Sequence, residues 1–151
     1  MITEILLTCA LLSPLTPEQV TDYLDCKERN EIIYFMEDYV DIFAEYFNKE
    51  DIETALRITY CESTGRPQAI NTNTNGTTDV GLWQFNDDTW AWLKPKLGII
   101  SNRTNPEVST AIAAWLVYND GWHHWNSSKH CWKGTNNDLL WTQTRTSMRG
   151  N

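Results

Sequence analysis

No stretch of this 151-residue chain reaches the roughly eighteen apolar residues that a membrane-spanning helix needs. The apolar run at residues 5–12 is too short for that. It contains no basic flank, follows Glu4 and shows no clean small-residue cleavage site. An ordered N-terminal helix packed on the domain is therefore expected, with a secretory signal as the alternative. Basic residues are scarce, with 12 Lys and Arg against 20 Asp and Glu, for a formal net charge of −8. The deficit is local: residues 1–62 hold 14 acids and 4 bases, whereas residues 63–151 hold 6 acids and 8 bases. Phosphate binding wants a basic face, so nucleic acid is not an expected partner. The acidity reads as a solvated face turned away from substrate.

Internal repeats and low-complexity linkers are also missing. His123, His124, His130 and Cys131 fit no recognised zinc spacing, and adjacent histidines rarely share one ion. No metal and no cofactor is expected. The sequons at Asn75, Asn102 and Asn126 carry meaning only in a eukaryotic secretory host.

What is present describes one globular domain. Hydrophobic residues make up 41% and charged residues 21%, and a chain of this length buries about two-thirds of its unfolded surface. Eight Trp is many for the length. Each Trp suits a core, but sugar rings also stack on indole faces.

Helical signals dominate. Thr16-Pro17-Glu18-Gln19 reads as a capping start for a helix running toward Asn30. A second helix is expected over residues 31–48, where Ile32, Ile33, Phe35, Met36, Tyr39, Val40, Phe43, Tyr46 and Phe47 recur at three and four spacing. Glu50 or Asp51 should cap a third, which ends near Ser63 with Gly65 as its stop. Residues 66–82 read as a small β-hairpin region, with Asn75-Gly76 as a type I′ turn. Asn86 caps a helix expected to stop before Pro95, and Asn105-Pro106 opens another that closes at Asp120-Gly121. The expected division is a helical extension over 1–30, a catalytic domain over 31–134 and a polar extension over 135–151.

The chemistry concentrates in residues 62–86. Glu62 sits at the end of the third apolar helix, and Asp79 follows 17 residues later beyond a stretch rich in Asn, Thr and Gly. Two carboxyl groups in contrasting settings are what glycoside hydrolysis requires. One stays protonated to donate to the leaving oxygen, and the other stays ionised beside an oxocarbenium-like centre.

The segment closely resembles the catalytic core of c-type lysozymes. There too the acid stands in a Glu-Ser pair, matched by Glu62-Ser63. The partner Asp lies in a hairpin matched by Thr77-Thr78-Asp79-Val80-Gly81 and Leu82-Trp83-Gln84-Phe85-Asn86. The spacing Trp122-His123-His124-Trp125 is similar to the Trp-x-x-Trp that packs over the acid in that family. The resemblance implies an α+β, lysozyme-like fold, mostly helical, with one small antiparallel hairpin sheet beside the cleft. It implies Glu62 as general acid and Asp79 as nucleophile or charge stabiliser. Asn73 and Asn86 would hydrogen-bond Asp79, Asn71 and Gln84 would line the cleft, Trp90 would stack on a sugar, and Trp122 would wall the acid. The activity implied is a retaining muramidase that cleaves the β-1,4 link between N-acetylmuramic acid and N-acetylglucosamine in peptidoglycan. A monomer is expected, secreted, periplasmic or virion-associated.

Two departures stand out: the chain is more acidic than wall-cleaving lysozymes often are, and it carries fewer cysteines. Resuscitation-promoting-factor domains are similar in joining an early Cys-Glu-Ser to a late Trp…Cys, which implies a Cys61–Cys131 bridge and leaves Cys9 for Cys26. Reduced thiols in a cytosolic host are the alternative. Lytic transglycosylases also show Glu-Ser and a Gly-Leu-x-Gln, here Gly81-Leu82-Trp83-Gln84, and need only the acid. A non-catalytic saccharide-binding module of the same fold, as in α-lactalbumins, is the third alternative.

Overall fold

The computed structural model describes residues 16–133. Six helices run in chain order as α1 (Pro17–Phe35), α2 (Val40–Tyr46), α3 (Ile52–Ser63), α4 (Asp87–Leu97), α5 (Pro106–Asp120) and α6 (Lys129–Trp132). Short 3₁₀ segments lie at Glu37–Tyr39 and Trp122–Ser128. Three short strands, β1 (Ile70–Thr72), β2 (Thr78–Val80) and β3 (Phe85–Asn86), form one antiparallel sheet in that order between α3 and α4. The fold is α+β and mostly helical, as expected. The run at 5–12, Cys9 and the extension at 135–151 lie outside the described residues.

Trp83 stands at the centre of the core, fully buried. Phe43, Phe47 and Trp125 surround it, with ring centroids 5.5, 5.6 and 5.1 Å away. A buried indole N–H needs an acceptor, and three of the buried tryptophans have theirs in the core. Trp83 Nε1 donates to Thr110 at 3.0 Å, Trp125 Nε1 to the Trp83 carbonyl at 3.0 Å, and Trp132 Nε1 to the Trp125 carbonyl at 2.9 Å. These bonds thread α5, the turn before β3 and the C-terminal segments into one packed unit.

Several helix boundaries differ from the sequence expectation. α1 continues through residue 30 to Phe35, and the break falls at Met36 and the 3₁₀ turn after it. Met36 is fully buried, with φ −103° and ψ 9°. The apolar spacing runs on across the bend because α1 and α2 both turn a buried stripe onto the same core. Asp51 occupies the N-cap of α3 without a side-chain capping bond, since its carboxylate accepts from the Tyr118 hydroxyl at 3.1 Å instead. α3 ends with Thr64, ahead of Gly65, as its left-handed cap at φ 53°.

α4 runs through Pro95 to Leu97. The proline lies in the last turn, and exposed Ala91 lets water satisfy the carbonyl that Pro95 leaves without an amide partner. Buried Trp90 and Leu93 hold the helix in place. Asn86 and Asn105 cap α4 and α5 as expected, accepting from Asp88 N at 3.1 Å and Val108 N at 3.0 Å.

The hairpin turn is not type I′, which would need positive φ at both Asn75 and Gly76. Only Gly76 has it, at φ 86°. Asn73 N donates to the Thr77 carbonyl at 2.8 Å, and Gly76 N donates to the Asn73 carbonyl at 3.0 Å. The loop is a three-residue one whose last position demands the left-handed residue. Asn75 turns its amide oxygen back to Thr77 N at 3.1 Å.

Candidate active site

Glu62 occupies the last turn of α3, where the helix meets the sheet. Ser63 makes that junction. Its hydroxyl is buried and donates both to the Thr59 carbonyl at 3.0 Å and to the Leu82 carbonyl at 2.9 Å. On the other side, Cys61 is bridged to Cys131 with a Cα–Cα distance of 6.0 Å, tying α3 to α6. Cys26 is disulfide-bonded as well, and its expected partner Cys9 lies outside the described residues. Glu62 is thus fixed from both neighbouring residues.

The Glu62 carboxyl is partly buried, and burial raises its pKa above the ordinary carboxylate value. A hydrogen bond donated by the Ser128 hydroxyl to Oε1 works against that shift, while the negative charge of Asp79 adds to it. The balance favours the protonated acid. The C-terminal end of a helix, which disfavours negative charge, acts in the same direction.

Asp79 lies on the central strand β2, paired in register with Asn71 on β1 and Asn86 on β3. Two amide donors hold its carboxylate: Asn73 Nδ2 on Oδ2 at 3.0 Å and Asn86 Nδ2 on Oδ1 at 2.7 Å. Thr77 Oγ1 accepts from the same two amides at 3.2 and 3.0 Å, and so orients both toward Asp79. The two acids therefore differ in kind. Glu62 sits where the neutral form is favoured, and Asp79 where both oxygens accept hydrogen bonds.

Gln84 has a left-handed backbone, φ 50°, which is uncommon for a residue with a side chain. Its amide explains how the conformation is held. Nε2 donates to the Gly81 and Ala69 carbonyls at 2.8 and 3.2 Å, and Oε1 accepts from Asn71 Nδ2 at 2.7 Å. Gly81 itself is required: a Cβ there would meet the Arg103 carbonyl oxygen at 2.2 Å, and its φ is +89°. Arg103 in turn clamps the sheet to α4, with Nη2 on Asp87 at 2.6 Å and Nη1 on the Phe85 and Thr78 carbonyls at 2.7 and 3.2 Å. Donation from the Thr78 amide first, and then from Arg103, lowers the Asp87 pKa.

The two candidate tryptophans both pack on phenylalanines. Trp90 is 8% exposed and packs on Phe85 at 5.6 Å, which leaves little of its ring for a sugar. Helix periodicity cannot tell these two uses of a Trp apart, and here the core takes it. The exposed indole of α4 is Trp92. Trp122 is stacked on Phe47, with centroids 5.8 Å apart and planes 11° from parallel, and the side chain hydrogen-bonded to Glu62 is Ser128. Ser128 had no motif to announce it, being 66 residues from its partner. Cys131 is committed to its disulfide, which removes it from any ligand set with His123, His124 and His130.

Residues 41–126 match the family model of the transglycosylase SLT domain. The chain belongs to this family. The match covers both Glu62 and Asp79 and stops two residues before Ser128. No curated protein matches the chain. As an SLT domain it is a glycosidase-like enzyme of lysozyme-like fold that cleaves peptidoglycan. Among the described residues, no helix is long and apolar enough to cross a membrane.

Proposed function

We infer that this SLT domain is a muramidase: it hydrolyses the β-1,4 bond between N-acetylmuramic acid and N-acetylglucosamine, with retention of configuration. The observation that carries this reading is the setting of Asp79, whose two oxygens accept from Asn73 and Asn86 while its charge reaches Glu62. A carboxylate held in this way would serve a two-acid mechanism, and a one-acid mechanism does not require it. Glu62 donates its proton to the glycosidic oxygen as the C1–O bond breaks, which releases the 4-hydroxyl of the departing sugar. Asp79 meets the positive charge at C1, by covalent bond or by proximity. Glu62, now ionised, takes a proton from water, whose oxygen attacks C1 and regenerates both groups. Asn71, Gln84 and Trp122 are proposed to line the groove that receives the glycan. The catalytic unit is proposed to span 31–134 as a monomer, acting outside the cytoplasm or from a virion.

A second reading is favoured by the family match itself. A lytic transglycosylase uses only the acid, and the muramic C6 hydroxyl takes the place of water at C1. Product masses from a digest of purified peptidoglycan separate the two. Hydrolysis leaves a reducing muramic end, whereas transglycosylation leaves a 1,6-anhydro ring lighter by one water.

A further inference from the structure

Away from the cleft, α5 ends at Asp120 and the chain reverses at Gly121, φ 86° and ψ −176°, into the 3₁₀ segment that begins at Trp122. The reversal brings two imidazoles back onto the last residue of the helix. His124 Nε2 lies 2.9 Å and His123 Nε2 3.3 Å from the same oxygen, Asp120 Oδ2. The three donor atoms all fall within 4.8 Å of one another. The rings stack on each other with centroids 4.3 Å apart, and His124 packs edge-on against the buried Trp125 at 6.0 Å. His124 is therefore held against the core, and the more exposed His123 rests on it.

We propose that Asp120, His123 and His124 form a surface binding site for a first-row divalent ion of the zinc, copper or nickel type. Two neutral imidazole nitrogens and one carboxylate oxygen are the donor set such ions take, with water completing the shell. Bonds of about 2.0–2.1 Å in a tetrahedral shell place neighbouring donors about 3.3 Å apart, close to the two nitrogen–oxygen distances here. Adjacent histidines rarely share one ion, but here the reversal at Gly121 turns both Nε2 atoms onto Asp120 Oδ2; Asp120 supplies the third donor, and His130 and Cys131 take no part. The ion would bridge the end of α5 to the segment that carries Trp125 and Ser128. Magnesium and calcium, which want oxygen shells, are excluded by the two nitrogens.

The test is calorimetric titration of zinc chloride into the tag-free, chelator-treated full chain at neutral pH. The expected result is one ion per chain in the micromolar range, a rise in melting temperature with zinc, and no heat from magnesium. His123→Gln and His124→Gln should each weaken binding by about tenfold or more, while His130→Gln leaves it unchanged. Zinc-edge X-ray absorption on the unaltered chain should count two nitrogen donors, and this reading does not depend on any variant folding. Absence of zinc binding, binding unchanged in the His123→Gln/His124→Gln double variant, or a shell with sulfur or with oxygen alone would each overturn the site.

Discussion

Ser128 donates its hydroxyl to the carboxyl of Glu62, joining the 3₁₀ segment after α5 to the last turn of α3. The bond favours the ionised acid, against burial and against the charge of Asp79. Removing it in Ser128→Ala should raise the Glu62 pKa further. A general acid stays competent until pH passes its pKa, so the alkaline limb of the pH–rate profile should move to higher pH, with the acidic side little changed. Wall-lysis rates measured across pH decide this, and a limb that stays put or moves toward acid would refute the role.

Glu62→Gln should abolish lysis while leaving the fold intact. The amide keeps the shape of the side chain and has no proton to give the leaving oxygen. The loss should be on the order of 10²–10⁴-fold or more. Turbidity of a cell-wall suspension gives the rate, and circular dichroism checks the fold. Substantial lysis by a folded Glu62→Gln chain would remove Glu62 from the mechanism.

The same two pKa shifts predict opposite pH effects on stability. Glu62 has a raised pKa in the folded chain, so its favourable contribution is complete at acidic pH and is lost as pH rises through the raised value. Asp87 has a lowered pKa, so its contribution is present above the ordinary carboxylate range and is lost as pH falls through the lowered value. Glu62→Gln should therefore melt higher than the unaltered chain at neutral pH and lose that advantage in acid. Asp87→Asn should melt lower at neutral pH, with the gap closing in acid. Calorimetric melting temperatures at the two pH values test both signs.

What could be read from the sequence was local. Glu62, Asn73, Asp79, Gln84 and Asn86 lie within one short run, so motif and spacing placed them together before any folding was considered. Chain reversals and long-range contacts were hidden. Ser128 meets Glu62, 66 residues away in sequence, where Gly121 has turned the chain and the Cys61–Cys131 bridge ties α6 to α3. Asn75-Gly76 carried a turn signal, but pairing of Asn73 with Thr77 set a longer loop than that dipeptide prefers. The bend at Met36 was invisible because both flanking helices keep one apolar spacing. Trp90 shows the limit of composition, since an indole suits a core and a sugar equally well.

Asp79→Asn separates the two readings of the reaction. A hydrolase that needs a negative charge at C1 should lose most of its activity, while a transglycosylase relying on Glu62 should keep most of it. The new amide oxygen keeps one of the bonds from Asn73 and Asn86, while the new NH2 meets the other donor. Circular dichroism and the melting temperature must therefore show the sheet intact for the loss to count as chemical. Near-normal rates in Asp79→Asn, with anhydro-muramic products, would hand the case to the transglycosylase.

The Cys61–Cys131 bridge closes a loop across a sequence separation of 70 residues and adjoins the acid directly. In the chain-entropy view, such a loop stabilises the fold by about 4 kcal/mol, by restricting the unfolded chain. Its second effect is on the site. The bridge holds α6 against α3, and Ser128, the residue before α6, bonds Glu62. Reduction should therefore lower the melting temperature and, at temperatures where the reduced chain is still folded, also move the alkaline limb of the pH–rate profile to higher pH. A double Cys61→Ser/Cys131→Ala chain should reproduce both changes without reductant. A purely entropic bridge would lower the melting temperature and leave the limb in place. That outcome would confine the disulfide to stability and leave Ser128 positioned by Trp125 and the 3₁₀ segment alone.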